Sequence, residues 1–434
     1  MSRALAALPP WRHQAGAAGL GLYALALWQR IGYFTFGSLV TLVLALALLG
    51  IAGLMPERDP GRSLWSYPVL FLLLLPLAAA STPGLVPGIS LGYALAMPVF
   101  LVTGMIPGAA RWRLPLTGLC LIGAHVAMLL AAPYPAGQDV FIFLNRGVDT
   151  LLRLHNPYAP NPAVDGGYIL TYPPAIILLG TPFRVLFGDI RWGYLFAEAA
   201  SVALLAGLAR RLGRRREAWL DALILLPMAM PRLAIAYFDF SNHELALVPI
   251  ALLGLRLALA GHPRLAGAAL GVGVAAKQYF VVFPGLFLAA FLEPATLVAG
   301  LAAAAAIVVP FLLWNPAAML GNLFSQLSAP PDPSRLTLYS AASRLGVGGR
   351  NLLRVLSLGG TAAFAILAWL SRRDLGASLR ACGIALAVFT LAAPFAAYNY
   401  YGYAFWFLCA GFLVPGGWSR ARVLAAAGPV PAMG

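Results

Sequence analysis

The sequence predicts an all-α fold, a polytopic bundle of about 12–14 transmembrane segments with extracytoplasmic loops that carry amphipathic helices. Three observations predict it. The 434 residues are 61% hydrophobic and 10% charged, where an ordinary soluble domain carries about 25% charge. Apolar runs near or above the ~18 residues that span a bilayer recur along the chain. The net charge of +15 is almost all arginine and is concentrated between those runs, the only lysine being Lys277. A basic chain can mark a nucleic-acid protein, but arginines clustered between apolar runs fit the positive-inside rule instead. The partners expected are therefore membrane lipids, not nucleic acid.

In chain order the predicted spans are 15–29, 35–54, 64–80, 89–107 and 115–132, then 191–209, 218–232, 245–260 and 296–313, then 350–370, 379–397 and 402–416. The first follows Arg3 and Arg12 and could pass for a signal peptide; in so hydrophobic a chain it reads as a first helix. Two stretches differ in kind. Residues 173–187 are interrupted by Arg184, and 265–292 form two short halves broken at "KQY". Cys120, Cys382 and Cys409 lie within apolar runs with no ligand spacing and read as small hydrophobes. No fixed-period repeat or separate soluble domain is visible, so 1–434 reads as one membrane domain.

Arginine placement orients the chain. Arg111 and Arg113, "RRLGRRR" at 210–216, Arg256 with Arg264, Arg372, Arg373 and Arg380, and Arg420 with Arg422 all fall on the cytoplasmic side. Two large loops, 133–172 and 314–349, then lie outside, together with "YFDFSNHE" (237–244) and "YNYYGY" (398–403). If 173–187 crossed fully, "RRLGRRR" would also lie outside. That segment is therefore expected to enter and return, or to lie shallow, with Tyr172-Pro173-Pro174 at its mouth.

The outer loop 133–172 holds the polar residues that an apolar chain would not otherwise carry. Asp139 follows the span ending at Ala132 and opens "VFIFLNRGVDTLLRL", an amphipathic helix that would lie along the surface. An aspartate there is also a preferred helix cap. "HNPYAPNP" (155–162) and "TYPP" (171–174) are stiffened by proline. In "YFDFSNHELAL", capping explains Ser241 or Asn242 and the acid Glu244 in a first turn; it does not require His243. Lys277 lies inside a membrane segment, where an ionisable residue is a functional-site candidate unless it snorkels. Glu198 invites the same thought more weakly, and mid-span His125 reads as a hydrogen-bonded packing residue. Arg335 and Arg344 lie on the outer side, against the charge bias, where phosphate would attract them. Glycine-rich phosphate loops, metal-spaced ligands and a nucleophile elbow are absent from the sequence.

These elements resemble those of the GT-C superfamily of membrane glycosyltransferases, above all the bacterial polyprenol-phosphate-mannose-dependent mannosyltransferases. The resemblance rests on an outer-loop Asp139 after a span, the amphipathic helix, Asn156-Pro157-Tyr158, Tyr172-Pro173-Pro174, Asn242-His243-Glu244 opening a helix, and "KQYFVVFP" (277–284). It covers about 139–290, and the rest only by topology. It implies a GT-C-like membrane fold in the plasma (inner) membrane with the active site on the extracytoplasmic face. It implies a catalytic Asp139 and transfer of a sugar, mannose or another hexose or pentose, from a polyprenyl phosphate to a glycolipid or cell-envelope glycan. Asp139 has no adjacent carboxylate, and the reading includes neither a metal nor a cofactor. One carboxylate suffices as base, because phosphate leaves without a strong acid. Direct displacement inverts the anomeric centre. Asn242, His243 and Glu244 would contact sugar hydroxyls, Tyr172 would line the site, and Lys277, Arg335 and Arg344 would face the phosphate. The rival readings are a secondary transporter or lipid-linked-sugar flippase, which would favour inverted repeats and midplane acids, and an accessory subunit of an envelope complex, which would tolerate loss of Asp139.

Overall fold

Helices are the only extended regular elements among the described residues, as the composition dictates for a chain that must satisfy its backbone within lipid. The structure is a computed structural model, and it describes residues 11–29, 35–53, 87–131, 139–214, 217–239, 243–277, 291–328, 335–346, 359–360, 362, 374–393, 398–419 and 422–423. The predicted spans 64–80 and nearly all of 350–370 lie outside the described residues. The helices are α1 (Trp11–Gln29), α2 (Phe36–Gly53), α3 (Pro87–Met105), α4 (Arg113–Ala131), α5 (Asp139–Leu152), α6 (Ala175–Phe187), α7 (Arg191–Arg211) and α8 (Ala218–Leu225). There follow α9 (Leu247–Leu259), α10 (Pro263–Val274), α11 (Pro294–Trp314), α12 (Pro316–Ser328), α13 (Leu338–Arg344), α14 (Leu375–Ala392) and α15 (Tyr398–Leu413).

Four described helical segments are long and apolar enough to cross a membrane: Ala109–Ala131, Arg191–Arg211, Pro294–Trp314 and Leu375–Ala392. The broken pair Pro231–Phe238 and His243–Leu259 would make a fifth. α6 has 13 residues, about 20 Å at 1.5 Å per residue, which is short of the ~30 Å hydrocarbon core. Gly188, at φ 73°, ends it in the left-handed conformation that glycine adopts freely, and α7 starts three residues later. By length and composition α6 falls among the shorter apolar helices, not among the candidate spans.

The chain groups into two compact units. Unit 1 comprises Met1–Met128, Leu205–Ala234 and Pro331–Val423. In its core the Tyr23 hydroxyl donates to the Tyr401 carbonyl at 3.0 Å, and the Tyr23 ring stacks on Phe405 at 5.5 Å. Two arginines expected in cytoplasmic loops are buried within helices instead. Arg113 pairs with Asp221 at 2.8 Å, and Arg380 donates to the Gly411 carbonyl at 2.9 Å. For Arg380 the cause is local: Asp374 accepts from the Ala377 amide and starts α14 four residues earlier than the hydrophobic run alone implies. His125 packs as expected, hydrogen-bonded to Tyr93 at 2.6 Å.

Unit 2 comprises Leu129–Leu204, Ile235–Pro330 and Leu424–Gly434, and it contains most of the residues singled out in the sequence. Its closest helix pair is α10 with α11. A Cβ at Gly267 would lie 2.1 Å from the Thr296 carbonyl oxygen, and one at Gly271 would lie 2.3 Å from that of Gly300. Only glycine lets these backbones meet. On its other side α11 exposes Leu297, Val298, Leu301, Val309 and Leu313, a face suited to acyl chains rather than water. α5 and α6 are pinned by a bidentate pair in which Arg184 Nε and Nη2 each donate to Asp149 at 2.8 Å.

Candidate functional site

The site is built by three breaks in helical structure within unit 2. The first is the "TYPP" stretch that precedes α6. Pro173 and Pro174 have no N–H to leave unpaired in front of the helix, and the Ala175 amide donates to the Ala275 carbonyl at 2.9 Å. That bond joins the start of α6 to the end of α10. Tyr172 stands three residues before one partner and Lys277 two after the other, so the two side chains meet. The second break is the end of α10 itself, where the Lys277 amide still bonds to the Gly273 carbonyl at 3.2 Å as the helix unwinds. The third lies before α9, where a π-helical turn, Ile235–Asp239, is followed by the 3₁₀ turn His243–Ala246. Such turns re-aim side chains and recur at functional sites.

Four of the residues expected from sequence converge here. Lys277 Nζ donates to Glu244 Oε1 at 2.9 Å and lies 3.1 Å from His243 Nε2. The same ammonium sits 4.4 Å from the centroid of the Tyr172 ring, a cation–π contact. The Tyr172 ring meets the His243 ring edge-on at 4.3 Å. All four side chains are buried, Lys277 at 2% exposure and His243 and Glu244 at 1% each. Lys277 is thus not snorkelling; an opposite charge and an aromatic face hold it inside.

The "NPY" element forms the wall beside Tyr172. Asn156 Oδ1 accepts the Tyr158 amide at 2.8 Å, an Asx turn. The Tyr158 hydroxyl donates to the Tyr172 carbonyl at 2.7 Å, and Asn322 of α12 donates to the Tyr158 carbonyl at 2.9 Å. Burial raises the Tyr158 hydroxyl above the usual phenol range, so it remains a donor at neutral pH. Nearby, burial also pushes Tyr168 up to about 12, with its hydroxyl 2.9 Å from Thr150 Oγ1.

Asp139 is the first residue of α5; its side chain lies outside the described residues, as does all of Asn242. The start of α5 is nevertheless tied to the region before His243 by Arg191, a residue that sequence reasoning missed. Arg191 is fully buried, pairs with Asp189 at 2.7 Å, donates to the Phe238 carbonyl at 2.7 Å, and lays its guanidinium over Phe141 at 4.8 Å. An acid two residues before an arginine that opens an apolar helix was the available signal. Arg335 and Arg344 belong to unit 1. Arg335 is half-buried just before the Thr337 cap of α13, and Arg344 is exposed in its last turn. Glu198 is buried in α7.

The loop between α5 and α6 closes on Asp165, a residue to which the sequence alone assigns no role. Its carboxylate accepts the Asn161 amide at 2.9 Å and lies 3.3 Å from Arg153 Nη1 and 3.2 Å from His155 Nδ1. Burial alone would raise its pKa, but the amide, imidazole and guanidinium together outweigh that and hold it below the usual range. Among the described residues, no three His, Cys, Asp or Glu side chains stand together as metal ligands.

The family model described as glycosyltransferase family 87 matches residues 170–414, more than half of the chain. The match takes in Tyr172, the 242–244 segment, Lys277, Arg335 and Arg344, and begins after Asp139. NADH-quinone oxidoreductase subunit N of Cereibacter sphaeroides (strain ATCC 17025 / ATH 2.4.3) is 29% identical over 300 residues, 66% of this chain, which spans 58% of that relative's length. No solved structure matches.

Proposed function

We propose, from the premise that the chain belongs to glycosyltransferase family 87 and is therefore a membrane glycosyltransferase, that its sugar donor is a polyprenyl phosphate sugar and that transfer takes place on the extracytoplasmic face. The acceptor is a glycolipid or cell-envelope glycan, and mannose is the sugar the resemblance favours. The observation that carries this reading is the convergence of Tyr172, His243, Glu244 and Lys277 within unit 2, on segments beside predicted outer loops. A lipid phosphate sugar has an apolar tail and a polar head. A site made where helices break, beside helices whose outer faces are apolar, suits both ends.

In this reading Asp139 takes the proton from the acceptor hydroxyl as its oxygen attacks the anomeric carbon. The bond from that carbon to the phosphate oxygen breaks, its electron pair leaves with the phosphate, and the anomeric configuration inverts. Cations stabilise the charge that gathers on the phosphate. The sequence offers Arg335, Arg344 and Lys277, and Glu244, at 2.9 Å, already balances the last of these. Placement in the plasma membrane follows from the same resemblance.

The test is turnover by the purified protein, in nanodiscs, of radiolabelled polyprenyl phosphate sugars, wild type against Asp139→Asn. Transfer of label from one such donor, lost in the variant, is the expected result. Transfer by the wild type from a nucleotide sugar only would overturn the donor assignment.

A further inference from the structure

We propose that His243 presents Nδ1–H as a fixed, neutral hydrogen-bond donor to a hydroxyl oxygen of the bound sugar, and that Glu244 and Lys277 are the positioning residues that fix it. The inference deepens the glycosyltransferase reading above and rests on it for the identity of the ligand, though not for the state of the imidazole.

The argument begins with donors and acceptors. A lysine ammonium has three donors and no acceptor. Glu244 Oε1, 2.9 Å from Lys277 Nζ, keeps that amine in its ammonium form. His243 Nε2, 3.1 Å away, must then accept from it. An imidazole nitrogen that accepts carries no proton, so the ring is neutral and its one N–H is on Nδ1. The Tyr172 ring packs against this imidazole and restricts its rotation.

Nδ1 is fully buried and has no hydrogen-bond partner among the described residues. A buried N–H without an acceptor is costly and needs a reason. A ligand oxygen supplies one, and the charge balance narrows its kind. Lys277 and Glu244 cancel, and the imidazole is neutral, so this corner offers direction rather than charge. That suits a sugar hydroxyl better than a phosphate. A buried polar group that pairs only with the right hydroxyl also rejects sugars that lack it, a strong form of specificity. Lys277 then serves to orient the histidine rather than to hold the phosphate.

Two substitutions separate the ring nitrogens. His243→Asn keeps an N–H near the Nδ1 position and loses the acceptor for Lys277. His243→Gln keeps an acceptor for Lys277 and loses the Nδ1 donor. The first measurement is solid-state NMR of the full chain in lipid with ¹⁵N-labelled histidine, His243→Gln identifying the resonance. We expect a neutral ring protonated at Nδ1 and unchanged between about pH 5 and 8. An imidazolium, or a ring protonated at Nε2, would overturn the proposal. The second measurement is calorimetric binding of polyprenyl phosphate mannose and of unsugared polyprenyl phosphate. His243→Gln should weaken the sugared lipid ten- to hundredfold more than the unsugared one, and His243→Asn should not. Equal loss for both lipids, or the reverse order of the variants, would overturn it. If the wild type bound neither lipid, the donor reading above would fail, while the resonance would still decide the tautomer.

Discussion

Lys277 and Glu244, 33 residues apart in sequence, form a salt bridge of 2.9 Å in which neither side chain is more than 2% exposed. Breaking such a pair from one side leaves a buried charge without a partner, at a cost of about 3–5 kcal/mol, whereas replacing both members is far milder. Lys277→Met and Glu244→Gln are each expected to lower the thermal midpoint in detergent substantially. The double variant should recover most of that stability and none of the transfer activity. Recovery of activity together with stability would reduce the pair to packing.

Asp139→Asn is expected to abolish transfer and leave donor binding nearly intact. The amide keeps the size of the side chain but is not a useful base. Single-turnover rate and donor affinity, measured on the same preparation, separate the two effects. Full activity in this variant would remove Asp139 from catalysis outright.

The space around two helical glycines predicts different outcomes for their substitution by alanine. Gly21 in α1 has nothing within 4 Å of a built Cβ, whereas at Gly267 that atom would fall 2.1 Å from a backbone oxygen. Gly21→Ala should be neutral or gain about 0.5–1 kcal/mol from lost chain entropy. Gly267→Ala must push two helices apart, at roughly 1–3 kcal/mol or more. Thermal unfolding of the two variants side by side checks this.

Much of this architecture was legible because lipid imposes simple rules. Length and apolarity marked helices such as α4, α7 and α11, and the arginine parity set 173–187 apart as a segment not expected to cross fully. Lys277 stood out because an ionisable residue in an apolar run is rare. Its partners were less legible. No pattern in the sequence says that Ala175 bonds to Ala275, and that backbone bond is what brings Tyr172 to Lys277. Arg191 was read as the edge of a span because burial of its guanidinium depends on Asp189, Phe141 and Phe238 meeting in three dimensions. Arg380 was read as a loop arginine because a hydropathy run does not register the Asp374 cap that precedes it.

The loop between α5 and α6 offers a test through acid. Asp165 collects the Asn161 amide, Arg153 and His155, and its side chain is wholly withdrawn from solvent. These contacts lower its pKa below the ordinary aspartate value of about 3.9. A carboxylate whose folded pKa is depressed contributes stability in full above the unfolded value and loses it as pH falls through the folded one. The loop should therefore hold unchanged from neutral pH down to about 4 and loosen only below that. The amide contact should matter more than the ion pairs, because Arg153 and His155 are 52% and 45% exposed and water screens them. Asp165→Asn keeps an acceptor for the Asn161 N–H and should loosen the loop modestly at all pH values. Asp165→Ala leaves that N–H without its acceptor and should loosen it several-fold more. Hydrogen exchange over 155–167 at neutral pH ranks the two variants, and the same measurement in acid places the transition. A wild-type transition near pH 6, or equal exchange in the two variants, would show that Asp165 is not what holds the loop.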